Sequence, residues 1–217
     1  MSENGHDEHG HEHPHEESRH EGSPWAARIR AVEELLAERS ILTHEEVEAQ
    51  IGYMEARSYE NGARLVAHAW TDPGFKELLL RDTKAACSQL GIDASGTVEF
   101  ITVENTPTTH NLIVCTLCSC YPRAILGRPP DWYKSPAYRS RAVVEPRAVM
   151  KEFGLEIPED VLVSVHDSSA DARYLVLPMR PPGTEGMTEE ELAGLVSRNC
   201  LVGTAVPQYK ARERASS

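Results

Sequence analysis

The sequence of 217 residues has no long apolar run and is poor in basic residues. It contains no stretch of the roughly 18 consecutive apolar residues that a membrane-spanning helix needs, and its N-terminus lacks the basic-then-apolar pattern of a secretory signal. Lys and Arg number 22 against 34 Asp and Glu, for a formal net charge of −12. Nucleic-acid-binding proteins concentrate basic residues on one face. We therefore expect a soluble, cytoplasmic protein with small-molecule or protein partners and with no nucleic-acid or membrane partner.

The first 22 residues have almost no apolar side chains and hold seven acids against one base, so half of the net negative charge lies there. Such a segment buries too little to offset its ordering entropy, and we predict that residues 1–22 form a disordered tail. The tail also holds six of the ten histidines, and a His-rich, acidic tract binds divalent metals weakly. These histidines are His6, His9, His11, His13, His15 and His20.

Residues 23–60 have helical periodicity and form a predicted N-terminal arm. Ile29, Val32 and Leu36 recur at spacings of three and four, which indicates one apolar helix face. Thr43 and Glu46 have the spacing of a capping box for a second helix. The two helices have more apolar surface than they can bury against each other, so we expect the arm to pack on a partner subunit.

Residues 61–208 are predicted to form the metal-binding catalytic domain, followed by a C-terminal tail, 209–217. Asp72-Pro73 begins a helix that we expect to continue to Gly91. Beyond Gly91 the hydrophobic pattern is typical of β-strands, which are separated by the turn-forming residues Pro, Gly, Asn and Asp. The predicted fold class is α+β, a layered α-β-β-α domain with a mainly antiparallel sheet. The predicted strands are residues 97–103, 111–114, 161–165 and 174–177.

Three of the five cysteines fall within six residues, at Cys115, Cys118 and Cys120. Thiols spaced this closely bind metal or perform redox chemistry more often than they form disulfides. A redox pair leaves Cys120 unexplained, and a zinc site would need a fourth ligand. Three thiolates on one tight loop, with backbone amides between them, suit a soft or borderline ion, and a low-spin trivalent ion with one open position in particular.

The loop and its flanks resemble the α subunit of nitrile hydratase and the related γ subunit of thiocyanate hydrolase. The loop itself reads Val114-Cys115-Thr116-Leu117-Cys118-Ser119-Cys120-Tyr121-Pro122. Further matching segments, spread over about residues 25–207, are Ala67-His68-Ala69-Trp70-Thr71-Asp72-Pro73, Glu104-Asn105-Thr106-Pro107, Leu126-Gly127, Pro130-Asp131-Trp132-Tyr133-Lys134, Tyr138-Arg139, Val176-Leu177-Pro178 and Arg180-Pro181.

The resemblance implies one trivalent ion per chain, held by the sulfurs of Cys115, Cys118 and Cys120 and by the backbone amides of Ser119 and Cys120. Threonine at position 116 marks the cobalt(III) type, with iron(III) as the alternative. The family pattern also implies that Cys118 becomes a sulfinic and Cys120 a sulfenic acid, and that both take part in catalysis.

The resemblance further implies a homologous β subunit, in an αβ or (αβ)2 assembly, and a metal-loading activator protein. In the family, two arginines of the β subunit hold the oxidised cysteines. The basic residues near the loop in this sequence are Arg123 and Arg128. We therefore expect the chain to be incompletely competent without its partner.

Arg123 departs from the family pattern, because nitrile hydratases usually have tryptophan there. A guanidinium favours an anionic substrate over a neutral nitrile, and thiocyanate hydrolase has the same feature. Arg123, Trp132 and Tyr133 are the predicted substrate-pocket residues, and Thr116 and Asp167 are predicted outer-sphere residues. Each of these residues also has a structural alternative. Arg123 could lie in a subunit interface, and Trp132 and Tyr133 could pack in a core. Asp167 could cap a turn at the end of a strand.

We therefore predict a nitrile hydratase α subunit, with a thiocyanate hydrolase γ-type subunit as the alternative. A third hypothesis is a metal-storage or redox module, which would bind several labile divalent ions rather than one inert trivalent ion. We expect Cys87 and Cys200 to be packing residues and His110 and His166 to be structural.

Overall fold

The computed structural model describes residues 24–94, 99–118 and 120–209. The predicted tail of residues 1–22, the start of the first predicted strand, the predicted ligand Ser119 and residues 210–217 lie outside this part. Among the described residues, no helix has both the length and the apolar character needed to cross a membrane.

Helices dominate the described residues and two pairs of strands interrupt them, so the predicted mixture of helix and strand is confirmed. The helices are α1 (Pro24–Glu38), α2 (His44–Glu55), α3 (Tyr59–Thr71), α4 (Pro73–Arg81), α5 (Thr83–Gln89), α6 (Arg123–Leu126), α7 (Asp131–Lys134), α8 (Pro136–Val144), α9 (Pro146–Glu152), α10 (Glu189–Ala193) and α11 (Arg198–Val202). The strands are β1 (Glu99–Glu104), β2 (Thr109–Val114), β3 (Leu162–Asp167) and β4 (Ala172–Leu177).

The chain divides into two compact units between Gly52 and Tyr53. In the first unit neither α1 nor the part of α2 that it contains buries a residue. The apolar face of α1 is open, with Ile29 66% and Val32 56% exposed. The Thr43 capping box is present, because Glu46 accepts from the Thr43 backbone N–H at 2.8 Å and the Thr43 hydroxyl accepts from the Glu46 N–H at 3.1 Å.

In the second unit, short helices are separated by side-chain caps. Asp72 caps α4 by accepting from the Phe75 N–H at 3.0 Å, as its position before Pro73 predicts. The helix predicted to continue to Gly91 is instead two helices. Asp82 interrupts it by accepting from the Ala85 N–H at 2.9 Å, which satisfies one of the free donors at the start of α5.

The prediction of a mainly antiparallel sheet is wrong, because both strand pairs are parallel. β1 pairs with β4 and β2 pairs with β3, in two separate two-stranded sheets. The short connections from β1 to β2 and from β3 to β4 do not join paired strands, because each one links the two sheets. Helices α6 to α9 lie between β2 and β3, and a long helical crossover is the connection that parallel pairing requires. The four-layer arrangement stays a prediction.

Candidate metal centre

The cysteine loop leaves the carboxyl end of β2. Val114 and Cys115 are fully buried at this point. In the parallel register Val114 lies opposite Asp167, the last residue of β3. The next residue along, Ser168, donates its backbone N–H to the Val114 carbonyl at 2.7 Å. Because parallel strands end at the same edge, the loop and Asp167 are brought together there.

The three thiols of the loop converge. Their sulfurs all lie within 4.8 Å of one another, with Sγ–Sγ distances of 3.5 Å from Cys115 to Cys118 and 3.1 Å from Cys118 to Cys120. All three are free of disulfides. Cys115 is buried, Cys120 half-buried and Cys118 exposed. Converging sulfur donors of this kind fit a soft or borderline metal ion.

Burial makes the Cys120 thiol a poor anion on its own. Burial, together with hydrogen bonding from Cys118 and the charge of Cys115, raises the pKa of Cys120 to about 12, and Arg173 opposes this rise. A bound cation would replace the protons and remove the repulsion between the sulfurs. The three converging sulfurs could therefore hold a metal ion together.

The predicted outer-sphere residues Thr116 and Asp167 are in direct contact. Asp167 accepts the Thr116 backbone N–H at Oδ1, 2.9 Å away, and its hydroxyl at Oδ2, 2.5 Å away. Two of the polar groups that begin the loop are thus satisfied by a carboxylate on the neighbouring strand. This contact holds the Cys115 end of the loop against the sheet.

Side chains from α7 and α8 hold further backbone groups of the loop. The Tyr133 hydroxyl donates to the Cys120 carbonyl at 2.9 Å, and the Tyr138 hydroxyl donates to the Ile113 carbonyl at 2.6 Å. Arg139 donates from Nε to the Cys115 carbonyl at 3.1 Å and from a terminal nitrogen to the Thr116 carbonyl at 2.8 Å. Both ends of the loop are therefore fixed by protein side chains.

The expectation that Arg123 and Arg128 are the basic residues of the loop was incomplete. Both are exposed, whereas Arg139 bonds the loop directly and Arg173 acts on Cys120 through its charge. Arg139 comes from α8 and Arg173 from β4, so sequence proximity could not reveal them. The Tyr138-Arg139 match to the family was the one signal that pointed to this helix.

The predicted pocket residues occupy different environments. Arg123 is exposed at the start of α6, directly after the loop. Trp132 is half-buried and Tyr133 is completely buried. The Trp132 ring packs edge-on against Tyr138 and Phe153, with centroid distances of 4.9 and 4.8 Å. In the isolated chain the aromatic pair therefore supports the loop, and its role in a substrate pocket stays a prediction.

The histidines expected to be structural are bonded within the fold. His110 is buried, and its Nε2 lies 2.7 Å from the Gly203 carbonyl. His166 Nε2 lies 2.8 Å from Asn111 Oδ1. Cys87 and Cys200 are both buried in the core, and burial raises the pKa of Cys87 to about 11. None of these four side chains belongs to the cysteine cluster.

Comparison with known proteins gives consistent results. The profile of the family described as "Nitrile hydratase, alpha chain" matches residues 23–205. The low-molecular weight cobalt-containing nitrile hydratase subunit alpha of Rhodococcus rhodochrous is 47% identical over 188 residues, which cover 84% of this chain and 88% of the relative. The thiocyanate hydrolase subunit gamma of Thiobacillus thioparus is 43% identical over 189 residues, covering 82% and 78%.

A solved structure has the same fold. A recombinant thiocyanate hydrolase with partially modified cobalt centres superposes with a TM-score of 0.81 at 40% identity, covering 86% of this chain and 91% of that one. The family profile spans the whole cysteine loop and most of the described residues. This chain therefore belongs to the nitrile hydratase alpha chain family.

Proposed function

We propose that this chain is the metal-carrying α subunit of a cobalt nitrile hydratase, which hydrates a nitrile to the amide. The observation that carries the proposal is the convergence of the Cys115, Cys118 and Cys120 sulfurs within 4.8 Å, in a chain of this family. A storage module would need several sites, and the described residues offer this one cluster of three or more ligating side chains.

The ligands would be the three sulfurs and the backbone amides of Ser119 and Cys120. We propose cobalt(III), one ion per chain, because Thr116 follows the cobalt pattern and the Rhodococcus relative is named as cobalt-containing; iron(III) is the alternative. When bound, the ion would act as a Lewis acid that polarises the nitrile or activates water.

The residues of the chain would have separate catalytic and positioning roles around the ion. Cys118, the exposed member, would be the sulfinate, and Cys120 would be the sulfenate, whose oxygen would act either as a nucleophile toward the nitrile carbon or as a base that takes a proton from the incoming water. Asp167 and Thr116 would keep the loop in place during turnover. Tyr133 would fix the Cys120 carbonyl, since its burial raises the pKa of its hydroxyl and keeps it a donor.

Thiocyanate hydrolysis is the second candidate, and Arg123 favours it. Its guanidinium is exposed immediately beyond the loop, where it would attract an anion. The thiocyanate hydrolase relative is nearly as similar to the chain as the nitrile hydratase relative, at 43% against 47% identity. Arg123, Trp132 and Tyr133 would then line the substrate side of the site, together with groups of a partner subunit.

A homologous β subunit completes the proposal. The open face of α1, with Trp25 68% exposed, would be buried against it. The β subunit would form αβ or (αβ)2 assemblies and supply cations to the oxidised cysteines, and an activator protein would load the metal. We place this assembly in the cytoplasm.

Turnover tests the proposed function. The chain would be co-produced with its β subunit in cobalt-supplemented medium and given acrylonitrile or thiocyanate separately. Formation of acrylamide at a rate proportional to bound cobalt supports the nitrile hydratase. Ammonia release from thiocyanate alone would identify the second candidate, and turnover of neither substrate by cobalt-loaded protein would overturn both.

A further inference from the structure

The backbone of the cysteine loop is held unevenly. Protein donors bind the carbonyls of Ile113, Val114, Cys115 and Thr116 at its start and that of Cys120 at its end. Two of the carbonyls at the start, those of Cys115 and Thr116, are bound by one side chain, Arg139. The loop is thus fixed at both ends around its exposed middle, where Leu117 is 83% exposed.

Arg139 differs from Arg141, the other cation of α8, in what it binds. Arg141, two residues further along α8, forms ion pairs with Glu145 and with Glu152. For Arg139, by contrast, the described ranges 24–94, 99–118 and 120–209 provide no carboxylate within ion-pair distance, and its guanidinium bonds to carbonyl oxygens alone. A half-buried guanidinium without a carboxylate leaves a positive charge next to the loop.

Arg139 and Asp167 act on opposite sides of one peptide segment. Arg139 holds the Thr116 carbonyl at 2.8 Å, while Asp167 holds the Thr116 N–H at 2.9 Å and its hydroxyl. The guanidinium fork also reaches the carbonyl of Cys115, the buried thiol. A lysine could donate to either carbonyl as a point charge, but it lacks the planar fork that spans both.

We propose that Arg139 is a positioning residue for the metal centre, which holds Cys115 in its coordinating direction and offsets, from within the chain, part of the negative charge of the three sulfur and two amide ligands. The inference rests on the proposed function. Three anionic sulfur ligands and two deprotonated amides carry more negative charge than a trivalent ion neutralises, so the centre needs nearby cations. The β subunit is then one source of positive charge, and within the chain Arg139 joins Arg173 as an intrinsic one.

The test compares Arg139→Gln and Arg139→Lys with Arg141→Gln as the control on the same helix. Each chain is co-produced with its β subunit in cobalt medium. Three quantities are measured: cobalt per chain, the sulfur-to-cobalt charge-transfer absorption, and the thermal midpoint of protein made without cobalt. Arg141→Gln should match the wild type in cobalt content and absorption, because its ion pairs lie on the surface.

We expect Arg139→Gln to lower the cobalt content about 10-fold or more, in the range typical of outer-shell partners of a metal. Arg139→Lys should load partially and show a shifted charge-transfer band, since the charge remains and the fork is lost. If Arg139→Gln forms no folded protein, the lysine variant still decides, because a wild-type cobalt content and band in that variant would overturn the inference.

Two other outcomes would also overturn it. One is a wild-type cobalt content and band in Arg139→Gln. The other is a loss of cobalt in a variant whose cobalt-free protein also has a thermal midpoint well below that of the wild type. That result would make the role of Arg139 purely structural. The proposed function is judged separately, on the wild-type protein, since wild-type turnover with an unaffected Arg139→Gln variant defeats only the present inference.

Discussion

The carboxylate of Asp167 binds Thr116 at two points, accepting its backbone N–H at 2.9 Å and its hydroxyl at 2.5 Å. The two residues are 51 positions apart and meet because β2 and β3 are parallel and end at the same edge. This contact fixes the first residue after the buried Cys115. The position of the cysteine loop therefore depends on a residue of the neighbouring strand.

Replacing Asp167 by asparagine should weaken the centre. The asparagine amide has one oxygen to accept from the Thr116 N–H and hydroxyl, where the carboxylate has two. Its NH2 group would face the other Thr116 donor and cannot accept a hydrogen bond. We expect Asp167→Asn to reduce cobalt content or turnover by about 10-fold to 100-fold. Asp171→Asn, an exposed carboxylate four residues further along the same turn, is the control and should retain both. Equal values for Asp167→Asn and the wild type would refute the role given to this contact.

Arg123→Trp should change substrate choice. The substitution removes an exposed cation beside the loop and introduces an apolar wall, which favours a neutral nitrile over an anion. The expected result is a rise in the ratio of kcat/KM for acrylonitrile to that for thiocyanate of about 10-fold, the factor that corresponds to ~1.4 kcal/mol. Arg128→Trp, also exposed, is the matched control. An unchanged ratio would show that Arg123 does not face the substrate.

Stability should fall in mild acid because of His110. Burial lowers the pKa of this imidazole below its ordinary value of 6.5, with the Gly203 carbonyl opposing the shift. The unfolded chain therefore takes up the proton first, and stability is complete above pH 6.5 and decreases as the pH falls below it, by at most about 1.4 kcal/mol per pH unit for one group.

Urea unfolding of the cobalt-free chain between pH 5.5 and 7.5 measures this dependence. His110→Gln keeps a donor for the Gly203 carbonyl but does not titrate, so the decrease in unfolding free energy toward low pH should become smaller. His166, whose pKa is also lowered by burial, should account for part of the remainder. The same slope in His110→Gln as in the wild type would contradict the assignment.

The apolar face of α1 should matter for assembly and not for the stability of the chain. Ile29→Glu places a charge on a face whose residue is 66% exposed, so the thermal midpoint of the chain alone should change little. In the presence of the β subunit the variant should shift from heteromer to free chain in size-exclusion chromatography. Arg30→Glu, at the adjacent exposed position, is the control, and full assembly of Ile29→Glu would exclude this face as the interface.

The sequence predicted the features that local chemistry determines. Three cysteines in six residues mark the metal loop, Asp72-Pro73 marks a helix start, and the Thr43–Glu46 spacing marks a capping box; the structure contains the thiol cluster, the helix start and the box. Each depends on residues a few positions apart. Their backbone or side-chain partners are therefore visible in the sequence itself.

Features that depend on long-range pairing were not predictable in the same way. The sequence predicted a mainly antiparallel sheet, and only the fold shows that β2 pairs in parallel with β3 across four helices. Arg139 was missed for the same reason, since it lies 24 residues from the Cys115 carbonyl that it binds. The exposed arginines that follow the loop in sequence contribute in a different way: Arg123 bonds the Tyr121 carbonyl through its backbone N–H at 2.8 Å, and its side chain lies exposed.

The metal content of the cysteine variants tests most directly whether Cys115, Cys118 and Cys120 hold one cobalt ion. The chain with its β subunit, made in cobalt medium, should contain one cobalt per chain that resists exchange with a chelator, since low-spin cobalt(III) is inert. Cys115→Ser, Cys118→Ser and Cys120→Ser should each lose it, whereas Cys200→Ala, a buried cysteine outside the cluster, should keep it. Cobalt retained in any of the three serine variants, or several chelator-labile divalent ions in the wild type, would contradict the proposed cobalt(III) site of the three cysteines.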